Sequence, residues 1–363
     1  MASLLPFSLP KPNTICKSSS ISTSPTSTSS LIDSLNDQFG RKGIKFTDSS
    51  NVPAVELTVR NGSSLTLDIP NAHVTSYKPK VNWKDDGFEE VLYTLPQSKG
   101  GVALLLNDVT APVASSASRT LSRPSSAQGS LLAGCEWSVI DADSDSFDAV
   151  QVELSCKSGA LEITYVVSLY TESMASAVIV KNKGKKAVNL CSAILSHFTF
   201  KKRSGAGLQG LQGCSFCSHP PLQSPFELLS PSEAMKADDP DFFSFGSEPP
   251  VKPGQWCTQN ELVTILKDKF SRVYTSPPSE RSKPFFRTPP SKYEIIDQGK
   301  ELIFRVIRMG YQDIFVSSPG SYSAKFGTDY FICTGPASML VPVTVNPGES
   351  WRGALVIEHD NLN

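Results

Sequence analysis

Residues 187–200 read AVNLCSAILSHFTF. On the two-residue period of a strand, Val188, Leu190, Ile194, Phe198 and Phe200 share one face with two serines. Asn189, Cys191, Ala193, Leu195, His197 and Thr199 share the other. Both faces are largely apolar. A strand on the surface alternates apolar with polar, so this one is predicted to be central and covered on both sides. His197 then points into an interior or a cleft. There it is either a hydrogen-bonded wall residue or an acid–base group, and the second role needs a carboxylate opposite it.

The flanking sequence supplies companions for such a strand. Val55, Leu57 and Val59 form one alternating run and Leu65, Leu67 and Ile69 another, with Asn61-Gly62 between them as a hairpin signal. Further β-rich runs fall at 91–95, 102–106, 137–140, 150–156, 161–170, 177–180, 262–266, 293–296, 302–309, 314–316, 330–333, 341–345 and 352–358. Turns such as Asn346-Pro347-Gly348 separate them, and helical periodicity is nearly absent. The predicted fold class is all-β, a large antiparallel sandwich over residues 46–363 as one domain.

Two segments break the rhythm. Residues 111–129 are Ser-rich without a strand signal and are predicted to be a loop. Residues 220–256 are Pro-rich and carry Phe226, Phe242, Phe243 and Phe245. An irregular insertion of this length is either disordered or a contact surface. Phe242-Phe243-x-Phe245 is apolar enough to point to partner contact, with packing on the sandwich as the alternative. The basic groups 181–186 and 201–203 are separated by a strand of roughly 40 Å and sit at its opposite ends, so they make no common patch.

Residues 1–30 hold fourteen Ser or Thr, two lysines and no acid. That composition is expected of a plastid transit peptide, with cleavage between about Ser30 and Lys45 and residues 1–45 outside the fold. The 363 residues are 39% hydrophobic and 19% charged, with a formal net charge of −1. Such a balance gives no electrostatic case for nucleic acid. No apolar run approaches the ~20 residues needed to cross a bilayer, so any membrane association is expected to be peripheral.

The eight cysteines fall partly inside strand-like runs, as Cys191 and Cys333 do, which suits buried thiols better than a disulfide framework. Cys214, Cys217 and His219 have the one metal-like spacing but lack a second ligand pair, and no metal is expected. No Gly-rich phosphate loop and no GxSxG is present, so no dinucleotide, flavin or other cofactor is expected.

From Val52 onward the sequence resembles the galactose mutarotase-like superfamily, especially its plant glucose-6-phosphate 1-epimerase-like branch. The residues that carry the resemblance run in order: Gly62-Ser63-Ser64, then Asn71-Ala72-His73-Val74-Thr75-Ser76-Tyr77 and Lys99-Gly100-Gly101. Gln128-Gly129 follows, then His197 in its strand, Gly210-Leu211-Gln212-Gly213 and Ser271-Arg272-Val273-Tyr274. Phe315–Pro319 and Pro347-Gly348-Glu349-Ser350-Trp351 complete the series. The resemblance implies a β-supersandwich with an open concave face.

It also implies a reaction. Such epimerases interconvert sugar anomers with a carboxylate base and a histidine that protonates the ring oxygen. The departures fall on those positions. The family's Cys-Val-Glu-x-Ala is here Cys333-Thr334-Gly335-Pro336-Ala337, with Gly335 where the base belongs. Its sugar-binding Arg, His and Trp-Asn are matched by Lys99 or Leu132, Gln128 and Ser317-Ser318, alongside Arg272. The expectation is a vestigial site, with His197 retained and the base lost. The alternatives are a working plastid hexose-6-phosphate 1-epimerase with a relocated base such as Asp329 or Asp313, or a carbohydrate-binding module.

With its Ser-rich leader and Pro-rich insertion, the chain is also similar to subunits of subcomplex B of the chloroplast NAD(P)H dehydrogenase-like complex. That similarity implies a non-catalytic subunit, peripheral on the stromal side of the thylakoid membrane. Its partners would be the other subunits of that complex, met through residues 220–256. Its service would be cyclic electron flow around photosystem I, from a stromal donor to plastoquinone.

Overall fold

A computed structural model describes residues 28–49, 52–81, 87–95, 99–109, 130–236, 252–327 and 329–362. Two large sheets face each other, and every pairing in them is antiparallel. The first has eleven strands in the order Ile44–Ser49, Val52–Thr58, Ser64–Asp68, His73–Lys78, Val102–Asp108, Val188–Phe200, Tyr330–Val345, Asp313–Ser318, Phe270–Tyr274, Ser215–Ser218 and Trp256–Thr258. The second has nine, running Val263–Ile265, Ala206–Gln209, Lys292–Asp297, Leu302–Met309, Ser350–Asn361, Ser173–Asn182, Leu161–Tyr170, Ala149–Ser158 and Ser138–Asp145.

Val188–Phe200 is the sixth of the eleven strands and lies between Val102–Asp108 and Tyr330–Val345. Both of its faces are covered, as its sequence requires. Leu190, Ile194, Phe198 and Phe200 enter the core between the sheets, where Phe198 stacks on Phe304 of the second sheet at 4.7 Å between ring centroids. Burying a ring of that size contributes about 1.5–3 kcal/mol. Ala193 and Leu195 face the other way, into a second apolar cluster on the outer face of the eleven-stranded sheet. The hairpin read at Asn61-Gly62 is present. Gly62 has φ +90°, and the Asn61 side chain accepts from the Ser63 N–H.

The boundary of the fold differs from the sequence reading. Residues 28–45 are part of it. The helix Thr28–Phe39 packs Ile32, Leu35 and Phe39 against the inter-sheet core. Asn36 fastens it to the first strand: Phe46 N–H donates to Asn36 Oδ1 at 2.9 Å, and Asn36 Nδ2 donates to Phe46 O at 2.8 Å. The spacing 32, 35, 39 puts these apolar residues on one helix face. Cleavage between Ser30 and Lys45 would cut this helix, remove it from the strand it holds, or cut into that strand. Residues 1–27, the Ser-rich stretch 110–129 with Gln128, and Phe242, Phe243 and Phe245 lie outside the described residues.

Candidate functional site

The outer face of the eleven-stranded sheet carries the candidate site. Its floor is apolar: Ala103, Leu105, Ala193, Leu195, Val273, Phe315, Cys333, Ala337 and Met339. His197 rises from the central strand beside them and is buried. Its Nδ1 lies 3.2 Å from Gly101 O, to which the His197 backbone N–H also donates. Burial pushes its pKa down to about 4, so the ring is neutral near pH 7. A second histidine was not singled out from sequence. His73, fully buried in the strand two places away, sets Nε2 2.7 Å from Gly100 O, and burial lowers its pKa to about 4 as well.

The Gly100-Gly101 turn presents consecutive carbonyls to the two rings. Both glycines have positive φ, and a Cβ on Gly101 would stand 2.2 Å from Val74 O and 2.8 Å from His73 Nε2. Lys99, one residue before this turn, is exposed.

Segment 221–234, from the Pro-rich insertion, crosses this face. Leu222 and Phe226 pack on the apolar floor, and Phe226 stacks on His73 at 4.2 Å. Gly100 N–H donates to Phe226 O at 2.8 Å. Leu228, Leu229 and Ala234 join Tyr93 and Phe331 in a third apolar cluster. A capping box anchors the far end: Ser230 caps the short helix Pro231–Ala234 and Glu233 reaches back to the Ser230 N–H. The described part of the insertion therefore packs on its own sandwich. Phe226, expected as an exposed aromatic, is instead packed on the sandwich, because the floor beneath it would otherwise be wet.

What remains beneath the segment is a cavity of about 20 Å³, lined among others by His197, Ser317, Cys333 and Glu227. That is room for about one water molecule. Ligand pockets typically enclose roughly 300–1,000 Å³.

The sequence reading offers Asp329 or Asp313 and does not name the carboxylate that does share the cavity of His197, Glu227. It is carried by the covering segment itself, and burial raises its pKa to about 7. Its Oε2 accepts from the Ser224 N–H at 3.3 Å. An acid and a histidine thus share one small cavity. Clearing that cavity for a sugar would carry Glu227 away with the segment.

The other candidates divide by strand parity. Ser317 lines the cavity, but Ser318 points to the opposite side of the sheet, 2.5 Å from Tyr330 OH and 3.2 Å from Leu266 O. Arg272 also faces away from His197. Its guanidinium lies over the Phe216 and Phe270 rings at 4.3 and 4.4 Å and donates to Gln259 Oε1 at 3.3 Å. Leu132 is half-buried against the inter-sheet core.

At Gly335 there is no space for any side chain. A Cβ there would stand 2.0 Å from Ile194 O and 3.0 Å from its carbonyl carbon, so the backbone has closed against the central strand. Neither proposed relocated base takes its place. Asp313 is buried, and its Oδ2 accepts from the N–H groups of Met339, Leu340 and Val341 at 2.8, 2.8 and 3.3 Å. Asp329 lies in a separate open cleft with Tyr93, Thr199 and Lys201.

Among the described residues the buried cysteines serve packing. Cys214 enters the inter-sheet core, Cys191 and Cys333 are buried, and burial raises the pKa of all three.

No family model matches the chain. It is 25% identical over 335 residues, 91% of its length and 82% of the relative's, to the protein NDH-dependent cyclic electron flow 5 of Arabidopsis thaliana. A shorter match, 36% identical over 75 residues, covers 19% of the chain and 23% of a Cenchrus ciliaris protein provisionally named a glucose-6-phosphate 1-epimerase. Among solved structures, a provisionally named mutarotase from Salmonella typhimurium superposes with a TM-score of 0.59 at 13% identity, covering 88% of this chain and 95% of that one. A galactose mutarotase-like protein from Clostridium acetobutylicum gives 0.56 at 13% identity, over 88% and 100%. The chain therefore has the galactose mutarotase-like fold, and along nearly its whole length it is similar to a plant protein named for NDH-dependent cyclic electron flow.

Proposed function

We propose that the protein is a non-catalytic structural subunit of the chloroplast NAD(P)H dehydrogenase-like complex. It sits peripherally on the stromal side of the thylakoid membrane. There it supports electron transfer from a stromal donor to plastoquinone in cyclic flow around photosystem I. Its similarity to the Arabidopsis protein motivates the pathway. The observation that carries the non-catalytic part is the self-filled site, where Leu222 and Phe226 cover the floor on which a sugar would lie. Among the described residues no helix is long and apolar enough to cross a membrane, in keeping with peripheral attachment. In this reading residues 1–27 belong to a transit peptide and the rest to one sandwich domain, and contacts to other subunits use surfaces beyond segment 221–234.

Native electrophoresis of solubilised thylakoids tests the assembly. The protein is expected to migrate with a large membrane complex. Plants lacking it are expected to lose that complex, together with the dark rise in chlorophyll fluorescence that reports plastoquinone reduction. Migration as a free stromal monomer, with the complex intact in its absence, would sink the proposal.

A plastid hexose-6-phosphate 1-epimerase is the second reading, and Glu227 beside His197 is the observation in its favour. It requires segment 221–234 to lift away while leaving its carboxylate behind, which one continuous segment does not do.

A further inference from the structure

The loop after Tyr274 presents an aromatic knob to solvent. Phe285 is 95% exposed and Phe286 is 42% exposed, making Phe285 the most exposed large hydrophobic side chain among the described residues. Isolated exposed apolar residues are ordinary, but two adjacent rings at a loop tip are not.

The tip is also held rigidly. Prolines 277, 278, 284, 289 and 290 punctuate it. Arg308 donates from Nε to Pro290 O at 3.1 Å and from its terminal nitrogen to Pro289 O, pinning the returning arm. On the outgoing arm Arg281 Nε donates to Ser276 O at 2.7 Å, and Ser276 Oγ donates across to Arg287 O. The rings are thus presented on a braced pedestal, and little conformational entropy remains to be lost when they bind.

The charge of the loop itself is mostly positive. Residues 277–292 contain Arg281, Lys283, Arg287 and Lys292 against the single acid Glu280, in a chain whose net charge is −1. Glu280 is paired with Lys283 at 2.7 Å, and Arg287, whose guanidinium lies against Gly213, remains exposed.

We infer that this loop is a membrane-docking element: Phe285 and Phe286 insert into the interfacial region of a lipid bilayer while the surrounding cations meet anionic headgroups. Two rings carried on a convex tip can sink into a bilayer interface, and the positive rim around them complements anionic headgroups. The inference stands apart from the assembly reading, because lipid binding tests the loop and native electrophoresis tests the complex.

The test uses the full chain and vesicles of phosphatidylcholine with or without phosphatidylglycerol. The protein is expected to co-sediment with phosphatidylglycerol vesicles, less so as salt rises. Phe285→Ser with Phe286→Ser should weaken partitioning by about tenfold or more, as should Lys283→Gln with Arg287→Gln. All four positions are exposed, so thermal melting should be unchanged in both variants. A Phe285→Trp variant should show a blue-shifted emission on adding the vesicles. No sedimentation of the parent protein, sedimentation unaffected by loss of both rings, or a tryptophan that stays in water would each overturn the inference. So would capture by an acidic protein surface that depends on these residues without any vesicle binding.

Discussion

Replacing Gly335 by glutamate, the change that would place a carboxylate where the sequence resemblance puts a base, is expected to prevent folding rather than to create an epimerase. The ideal Cβ lies 2.0 Å from Ile194 O and 3.2 Å from Leu195 Cα, so any side chain meets backbone on two consecutive residues of the central strand. Backbone cannot step aside as the end of a flexible side chain can. The clash sits in the pairing of Val188–Phe200 with Tyr330–Val345, between the partners Ser196–Thr334 and Ala193–Ala337. Overpacking in a tight core costs about 1–3 kcal/mol, and here a ladder must be forced apart as well. Gly335→Ala separates the two explanations, because it carries the Cβ without the buried charge. Soluble expression and thermal melting check it. If Gly335→Glu melted like the parent protein, the closure of the backbone at this point would be refuted.

The second large effect is expected at Asp313. Its Oδ2 is the acceptor for three successive N–H groups, those of Met339, Leu340 and Val341. They lie in the strand Tyr330–Val345, near the shift in its register against the central strand between Leu190 and Ser192. Desolvation dominates at this carboxylate and raises its pKa despite those donors. Asp313→Ala leaves three backbone donors without this acceptor, that of Met339 buried and those of Leu340 and Val341 partly so. At about 1–3 kcal/mol for a buried unsatisfied donor, less the relief of burying a carboxylate, it should lower stability by about 2 kcal/mol. Asp313→Asn keeps an oxygen for the same donors and should lose less. Denaturant midpoints measured at equal m-value test the order. Equal losses in both variants would mean that the carboxylate does not clamp the strand.

Much of the architecture was legible because strands write their exposure into a period of two. The apolar character of both faces of 187–200 implied a covered central strand, and the structure covers it with the inter-sheet core on one side and the floor of the site on the other. The same parity could have sorted the site residues. Val273 faces the floor, so Arg272 must face the core; Ser317 lines the cavity, so Ser318 cannot. Matching motifs in order, without counting parity, put both in a pocket they do not reach.

The filling of the site was not legible. Leu222, Phe226, Leu228 and Leu229 follow no period, and nothing local says which surface an irregular segment covers. Glu227 was hidden for the same reason. The helix Thr28–Phe39 was readable in principle from Ile32, Leu35 and Phe39, but a Ser-rich leader masks a single amphipathic stripe.

Whether the outer face of the eleven-stranded sheet handles sugar separates a structural protein from an enzyme. The most direct measurement is magnetisation-exchange NMR of the α and β anomers of glucose 6-phosphate with the purified protein. The predicted result is an exchange rate equal to that in buffer and unchanged by His197→Ala, because segment 221–234 leaves about 20 Å³ beneath it. Accelerated exchange that disappears with His197→Ala would show the segment opening onto a working site and would contradict the account.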